Sequence, residues 1–94
     1  MNLTIYIRGY NVANHNDKSI ELLAFGRALR NIRKEKKLTQ DELSLYSRVD
    51  RSYISELENG EKAPTLLTIT ALARALHVKA SVLIEGYERE LEER

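Results

Sequence analysis

No cysteine occurs among the 94 residues, so neither a disulfide framework nor a thiolate metal site is open to the chain. The two histidines, His15 and His77, stand too far apart for any short metal-binding motif, which excludes a zinc finger. Nothing approaches the run of about eighteen apolar residues that a membrane helix needs. The N-terminus carries Leu3, Ile5 and Ile7 without the basic stretch and long apolar run of a leader. These absences lead us to expect an untargeted, intracellular, cytoplasmic protein with no membrane partner. Ser, His and Asp are present, but no spacing sets a nucleophile beside a base, and there is no glycine-rich phosphate loop. An enzyme, a bound cofactor and a small-molecule ligand are therefore all unexpected. Internal repeats, low-complexity tracts and interdomain linkers are also missing.

What is present fits one small domain: 43% hydrophobic and 31% charged residues are ordinary for a globular fold with a compact core. The net charge of +1 conceals an uneven distribution. Residues 1–40 sum to +5, 41–64 to −3 and 65–94 to −1. The basic charge is densest in Arg27, Arg30, Arg33, Lys34, Lys36 and Lys37, a cluster able to neutralise phosphates if the fold turns it toward a nucleic acid. As a charge run it reads equally as a solvated helix face.

The most informative stretch is 39–60, TQDELSLYSRVDRSYISELENG. Thr39 caps a helix and Glu42 reaches back to its amide, so TQDE forms a capping box. Leu43, with Leu45 or Tyr46, supplies the buried side of that short helix. Asp50 is a second N-cap, its carboxylate accepting from free amides of a helix that begins at Arg51. On this second helix Ile54 and Leu57 face inward, leaving Arg51, Ser52, Ser55 and Glu56 outside. Two short capped helices joined by a tight turn form a helix-turn-helix, and an arginine at the exposed N-terminus of the second suits a major groove.

Around this motif the periodicity predicts three more helices. Leu22, Phe25, Leu29 and Ile32 mark one face of a helix from about Ser19 to Lys36. The loop EKAPT, with the lone proline, leads to a cap at Thr65 and a helix whose inward stripe is Ile69, Leu72, Ala73 and Leu76. That helix stops near His77, and a fifth starts around Ala80. Leu83, Ile84, Tyr87 and Leu91 extend an apolar stripe beyond what such a core needs, which makes them the expected homodimer surface; packing against the first helix is the alternative. The trailing ERELEER reads as a frayed, solvated helix end. At the other end, LTIYIR alternates Leu3, Ile5 and Ile7 with Thr4, Tyr6 and Arg8, a strand pattern. It reads either as a strand that pairs with its copy in a second subunit or as a loose arm. The organisation is thus 1–18 as an N-terminal extension, 19–86 as the helical domain with its motif at 39–60, and 87–94 as a helix end.

TQDELSLYSRVDRSYISELENGEKAPTL resembles the helix-turn-helix of the phage repressor and Cro-type regulators, and the likeness continues into RALRNIRKEKKLTQ before it and ITALARALHVKASVLI after it. DRSYIS is most similar to the controller proteins of restriction-modification systems. The resemblance implies an all-α, five-helix, lambda-repressor-like DNA-binding domain. It implies that Arg51, Ser52 and Glu56 face base edges, with Tyr53 and Ser55 beside them. Gln40, Thr39, Asn59 and Lys62 would lie at phosphates, with Arg33 and Arg48 near the backbone. Arg33 and Glu58 match a pair that in the family forms a salt bridge between the first and third helices. Glu56 reads either as a base acceptor or as a group that orients Arg51. Many members have glycine where Arg48 stands, and the usual serine at the start of the fifth helix is replaced by Lys79. In this sequence the turn is either reshaped or strained.

The expected function is a sequence-specific transcriptional regulator that binds a palindromic operator in double-stranded DNA as a homodimer. The alternative is an antitoxin-type autorepressor whose main role is to bind a protein partner, with the N-terminal segment as the binding element.

Overall fold

The computed structural model describes residues 19–93. The expected N-terminal strand and its pairing between subunits lie outside the described residues. Five helices follow in order: α1 Ile20–Glu35, α2 Gln40–Ser47, α3 Arg51–Glu58, α4 Leu66–Ala75 and α5 Ala80–Glu92. None of these helices alone is long and apolar enough to cross a membrane.

Local chemistry starts three of the helices. Ser19 Oγ accepts from the Leu22 amide at 3.0 Å, and Thr65 caps α4 through the Thr68 amide. Thr39 forms the full capping box, accepting from the Glu42 amide while Glu42 Oε1 accepts from the Thr39 amide at 2.9 Å. Lys79 holds the N-cap of α5, where the resembling family has serine, and makes no side-chain cap hydrogen bond. Asp50 corrects an expectation: it occupies the N-cap of α3, but its side chain bonds no helix amide and instead accepts from Ser52 Oγ at 2.9 Å.

The helix exits rely on left-handed residues, and only one of the four is glycine: Lys37 (φ 60°), Arg48 (φ 63°), His77 (φ 58°) and Gly60 (φ 74°). At Lys37, Gly60 and His77 the following amide returns to the carbonyl five residues before it, as in Leu38 to Arg33 at 3.1 Å. The turn at Arg48 is therefore not reshaped. It keeps the conformation for which glycine is the natural residue.

Leu29, Leu43, Ile54, Leu57, Leu72, Leu76 and Leu83 are fully buried, with Phe25, Ile32, Ile69 and Ala73 around them. Leu22, expected on this face, is only half-buried. Burying a leucine is worth roughly 1.5–3 kcal/mol, so these few side chains carry most of the apolar stabilisation. In α2 only Leu43 is buried; Leu45 and Tyr46, offered as its companions, stand 73% and 58% exposed. α2 thus contributes one side chain to the core, and its capping box supports its start.

α1 is the central element, and two glycines set how closely its partners approach. A Cβ on Gly26 would lie 2.5 Å from the Leu57 carbonyl oxygen and 2.6 Å from that of Glu58, so α1 meets the end of α3 backbone to backbone. Gly86 likewise brings α5 against Ala28 of α1, where a Cβ would sit 3.2 Å from the alanine methyl. α5 stays helical through Glu92, and Glu90 accepts a 3.4 Å hydrogen bond from Asn31 of α1.

This packing corrects the expected dimer surface. Leu83 is fully buried inside one chain, as part of the core. Ile84 is exposed, while Tyr87 and Leu91 are half-buried. Leu83 and Ile84 are one residue and therefore about 100° apart on the helix, so one faces α1 while its neighbour faces out.

Candidate nucleic-acid interface

The centre of the site is a buried carboxylate. Glu58, the last residue of α3, has no exposed side-chain surface. Arg33 of α1 donates to it through Nε at 2.6 Å and Nη2 at 2.9 Å, a bidentate pair, and spends Nη1 on the Leu38 carbonyl at 2.7 Å. Gln40 Nε2 donates to the same carboxylate at 3.1 Å, and Arg30 Nε lies 3.6 Å away. One carboxylate thus ties α1, the start of α2 and the end of α3 together. The hydrogen bond to Glu58 raises the Arg33 pKa above its ordinary value, against the opposing effect of burial.

The expected salt bridge is therefore present, and it redefines Arg33. The residue is buried and structural, and its guanidinium is occupied within the protein. Gln40 is half-engaged in the same network at the entry of α2. Thr39 Oγ1 is committed to its cap.

The turn between α2 and α3 is fastened by two serines that the sequence reading passed over. Ser44 Oγ donates to the Val49 carbonyl at 2.6 Å, and Ser47 Oγ accepts from the Val49 amide at 3.1 Å. The available signal was local: serine within five residues of an expected turn is a common backbone partner. The Arg48 side chain is exposed.

α3 presents Arg51 and Ser52 exposed at its N-terminus, with Tyr53, Ser55 and Glu56 half-exposed. Tyr53 is anchored, its hydroxyl donating to the Ala63 carbonyl at 3.2 Å. Arg51 Nε lies 2.6 Å from Asp41 Oδ1 of α2. Its intramolecular partner is therefore Asp41, whereas Glu56, the group proposed to orient it, makes no ion pair among the described residues. Asn59 and Lys62 stand exposed in the loop after α3. Of the basic cluster, Arg27, Arg30, Lys34, Lys36 and Lys37 are exposed and Arg33 is not.

A separate apolar surface lies at the other side of the Pro64 loop. Leu22, Phe25, Pro64, Ile69, Ile84 and Tyr87 line a shallow groove between α1, α4 and α5. At the first turn of α4, Leu66 and Leu67 are 75% and 82% exposed.

Two eight-residue helices, the first started by a capping box, a left-handed turn and a polar outer face on the second define the class, and the chain belongs to the helix-turn-helix family, whose model matches residues 29–83. It is 41% identical over 73 residues to the transcriptional repressor RghR of Bacillus subtilis (strain 168), an alignment covering 74% of this chain and 54% of the repressor. Among solved structures it is similar to the restriction-modification controller protein C.AhdI from Aeromonas hydrophila, at 37% identity and a TM-score of 0.68, covering 69% of this chain and 98% of that one. It is also similar to the controller protein C.Esp1396I, solved as a tetramer with its natural 35 base-pair operator, at 30% identity and a TM-score of 0.72, covering 79% and 97%. The chain spans about half the length of the curated repressors it matches. The helical fold and the resemblance to controller proteins are thus matched by solved structures, and none of these three relatives is named as an antitoxin.

Proposed function

We propose that the chain is a sequence-specific DNA-binding transcriptional regulator of the restriction-modification controller type, acting without a catalytic step on a palindromic operator in the cytoplasm. The observation that carries this reading is the exposed N-terminal face of α3, where Arg51 and Ser52 project beyond a scaffold locked from behind by Arg33, Glu58 and Gln40. A helix so presented enters the major groove by its N-terminal residues, and arginine there reads guanine O6 and N7. Asn59, Lys62 and the exposed basic residues of α1 supply phosphate contacts that set register. A complex of a similar protein with its operator supports DNA as the partner.

One module of this size covers one half-site, and a palindrome requires two about 34 Å apart. Leu66 and Leu67, exposed at the first turn of α4, together with Ile84, which lines the Leu22–Tyr87 groove, form the surface on which a second copy docks. This placement keeps Ile84 and Tyr87 from the sequence expectation and replaces Leu83 with the leucines of α4.

The test is operator binding by fluorescence anisotropy, after selection of bound sequences from a random DNA library. Arg51→Ala is expected to cost about 1–3 kcal/mol and to relax preference at one base position. Lys62→Ala is expected to weaken all sequences alike and reduce the salt slope by about one. Equal loss on every operator variant with Arg51→Ala would refute the base-reading role.

A further inference from the structure

We infer that Asp41 is a positioning residue for DNA recognition: it holds Arg51 in the rotamer from which its terminal nitrogens meet a base edge. The inference rests on the reading above, in which Arg51 contacts bases. Asp41 and Arg51 belong to different helices, the second position of α2 and the first of α3, yet Arg51 Nε lies 2.6 Å from Asp41 Oδ1. Both side chains are largely in water, 77% and 58% exposed, so the pair contributes little to folding. Its consequence lies in geometry. A guanidinium is a planar fork whose far edge is formed by Nη1 and Nη2. A carboxylate held at Nε leaves that edge free, and it is the edge that makes two parallel hydrogen bonds to guanine O6 and N7.

An arginine free in solution loses rotamer freedom when it binds, a cost that weakens binding by about 2- to 10-fold. Asp41 meets part of that cost before DNA arrives. It also places a negative charge at the reading face, which disfavours any register in which Arg51 finds no guanine to hold. Ser52 is restrained in a parallel manner by Asp50, at 2.9 Å. The two exposed polar groups at the tip of α3 are thus each fixed by a carboxylate that is not itself placed to read a base.

The experiment measures affinity for the selected operator, for the operator with the Arg51-dependent base pair changed, and for unrelated DNA, using wild type, Asp41→Ala, Asp41→Asn, Arg51→Ala and the Asp41→Ala/Arg51→Ala double variant. Asp41→Ala is expected to lower discrimination at that base pair about 3- to 10-fold while binding unrelated DNA at least as tightly as wild type. Asp41→Asn, which keeps an acceptor oxygen, is expected to recover part of the discrimination. In the Arg51→Ala background the Asp41 change is expected to leave discrimination unaltered, and thermal melts of all variants are expected to match wild type within a few degrees. If Asp41→Ala tightens operator binding more than unrelated binding, Asp41 competes with DNA for Arg51 and the inference fails. If it weakens every DNA alike, or acts equally without Arg51, the positioning role also fails. If Arg51→Ala itself retains full discrimination, the base-reading role of Arg51 is what fails, and the inference falls with it.

Discussion

Arg33→Ala tests whether the carboxylate behind the reading head is structural. The substitution removes the two donors at 2.6 and 2.9 Å from Glu58 and the 2.7 Å bond to the Leu38 carbonyl, leaving the carboxylate without exposed side-chain surface. Breaking a buried pair from one side costs about 3–5 kcal/mol, because the remaining charge stays buried. Here Gln40 at 3.1 Å and Arg30 at 3.6 Å remain on Glu58, and Arg30 is half-exposed, so the lower end, about 3 kcal/mol, is expected. For a domain of this size each kcal/mol moves Tm by about 4–8 °C, so melts followed by far-ultraviolet circular dichroism should shift by ~12–24 °C. With total stability of about 5–15 kcal/mol, the variant is left marginal. The Arg33→Met/Glu58→Met double variant should recover most of the loss, since replacing both members of a buried pair with apolar groups is often neutral or stabilising. Because the Arg33 pKa is raised, its share of stability is complete below the ordinary arginine value and lost only as pH rises through the higher folded one. Raising pH from about 7 to 10 should therefore leave the difference between wild type and Arg33→Ala unchanged, as arginine titrates only well above that range. A loss under about 1 kcal/mol, the value of an exposed pair, would refute the reasoning, as would strict additivity in the double variant.

Three further expectations follow from packing and backbone geometry. Gly26→Ala forces a methyl to within 2.5 Å of the Leu57 carbonyl oxygen, where backbone must shift, and should cost about 1–3 kcal/mol in a urea melt; wild-type stability in that variant contradicts the close approach of α1 and α3. Arg48→Gly removes a side chain held at φ 63° and should raise Tm by a few degrees at most, because relief of about 1–2 kcal/mol of strain is opposed by glycine's greater freedom when unfolded; a fall in Tm means the arginine side chain anchors the turn. Leu67→Glu, at a position 82% exposed, should leave the monomer folded but shift sedimentation velocity toward monomer and weaken operator binding; an unchanged dimer places the interface elsewhere.

The parts of this fold that were legible in the sequence are those decided within a few residues. Thr39 and Thr65 each accept from an amide three residues on, as their spacing implies, whereas Asp50, expected to do the same, accepts from Ser52 instead. Leu57, Leu72 and Leu76 follow helical periodicity to the same core. Periodicity marks an apolar position without saying what covers it, which is why Leu83 was placed on a dimer surface and Leu45 in a core. Asp41 and Arg51 meet only because α2 and α3 cross at a particular angle, and no pattern of the nine intervening residues encodes that angle. Arg33 and Glu58 are 25 residues apart and were found through family resemblance, not through the chemistry of either neighbourhood.

The reading head is net acidic, −3 over residues 41–64, yet the structure reduces what an approaching phosphate would meet. Glu58 is covered by Arg33, Gln40 and Arg30; Asp41 is paired with Arg51; Glu42 is bound to the Thr39 amide. Glu56 makes no ion pair among the described residues. The same contacts subtract from the basic side, because Arg33 no longer counts toward phosphate neutralisation. What remains is Arg27, Arg30 and Lys34 on α1, Lys36 and Lys37 just after it, Arg48 in the turn and Lys62 after α3. Each phosphate neutralised contributes about −0.9 to the slope of log affinity against log salt, so a single chain that engaged all of them would reach a slope of about −6. Two chains double both the slope and the number of base contacts. Doubling the phosphate and base contacts is thus a physical reason for a second copy, independent of the exposed leucines at the start of α4.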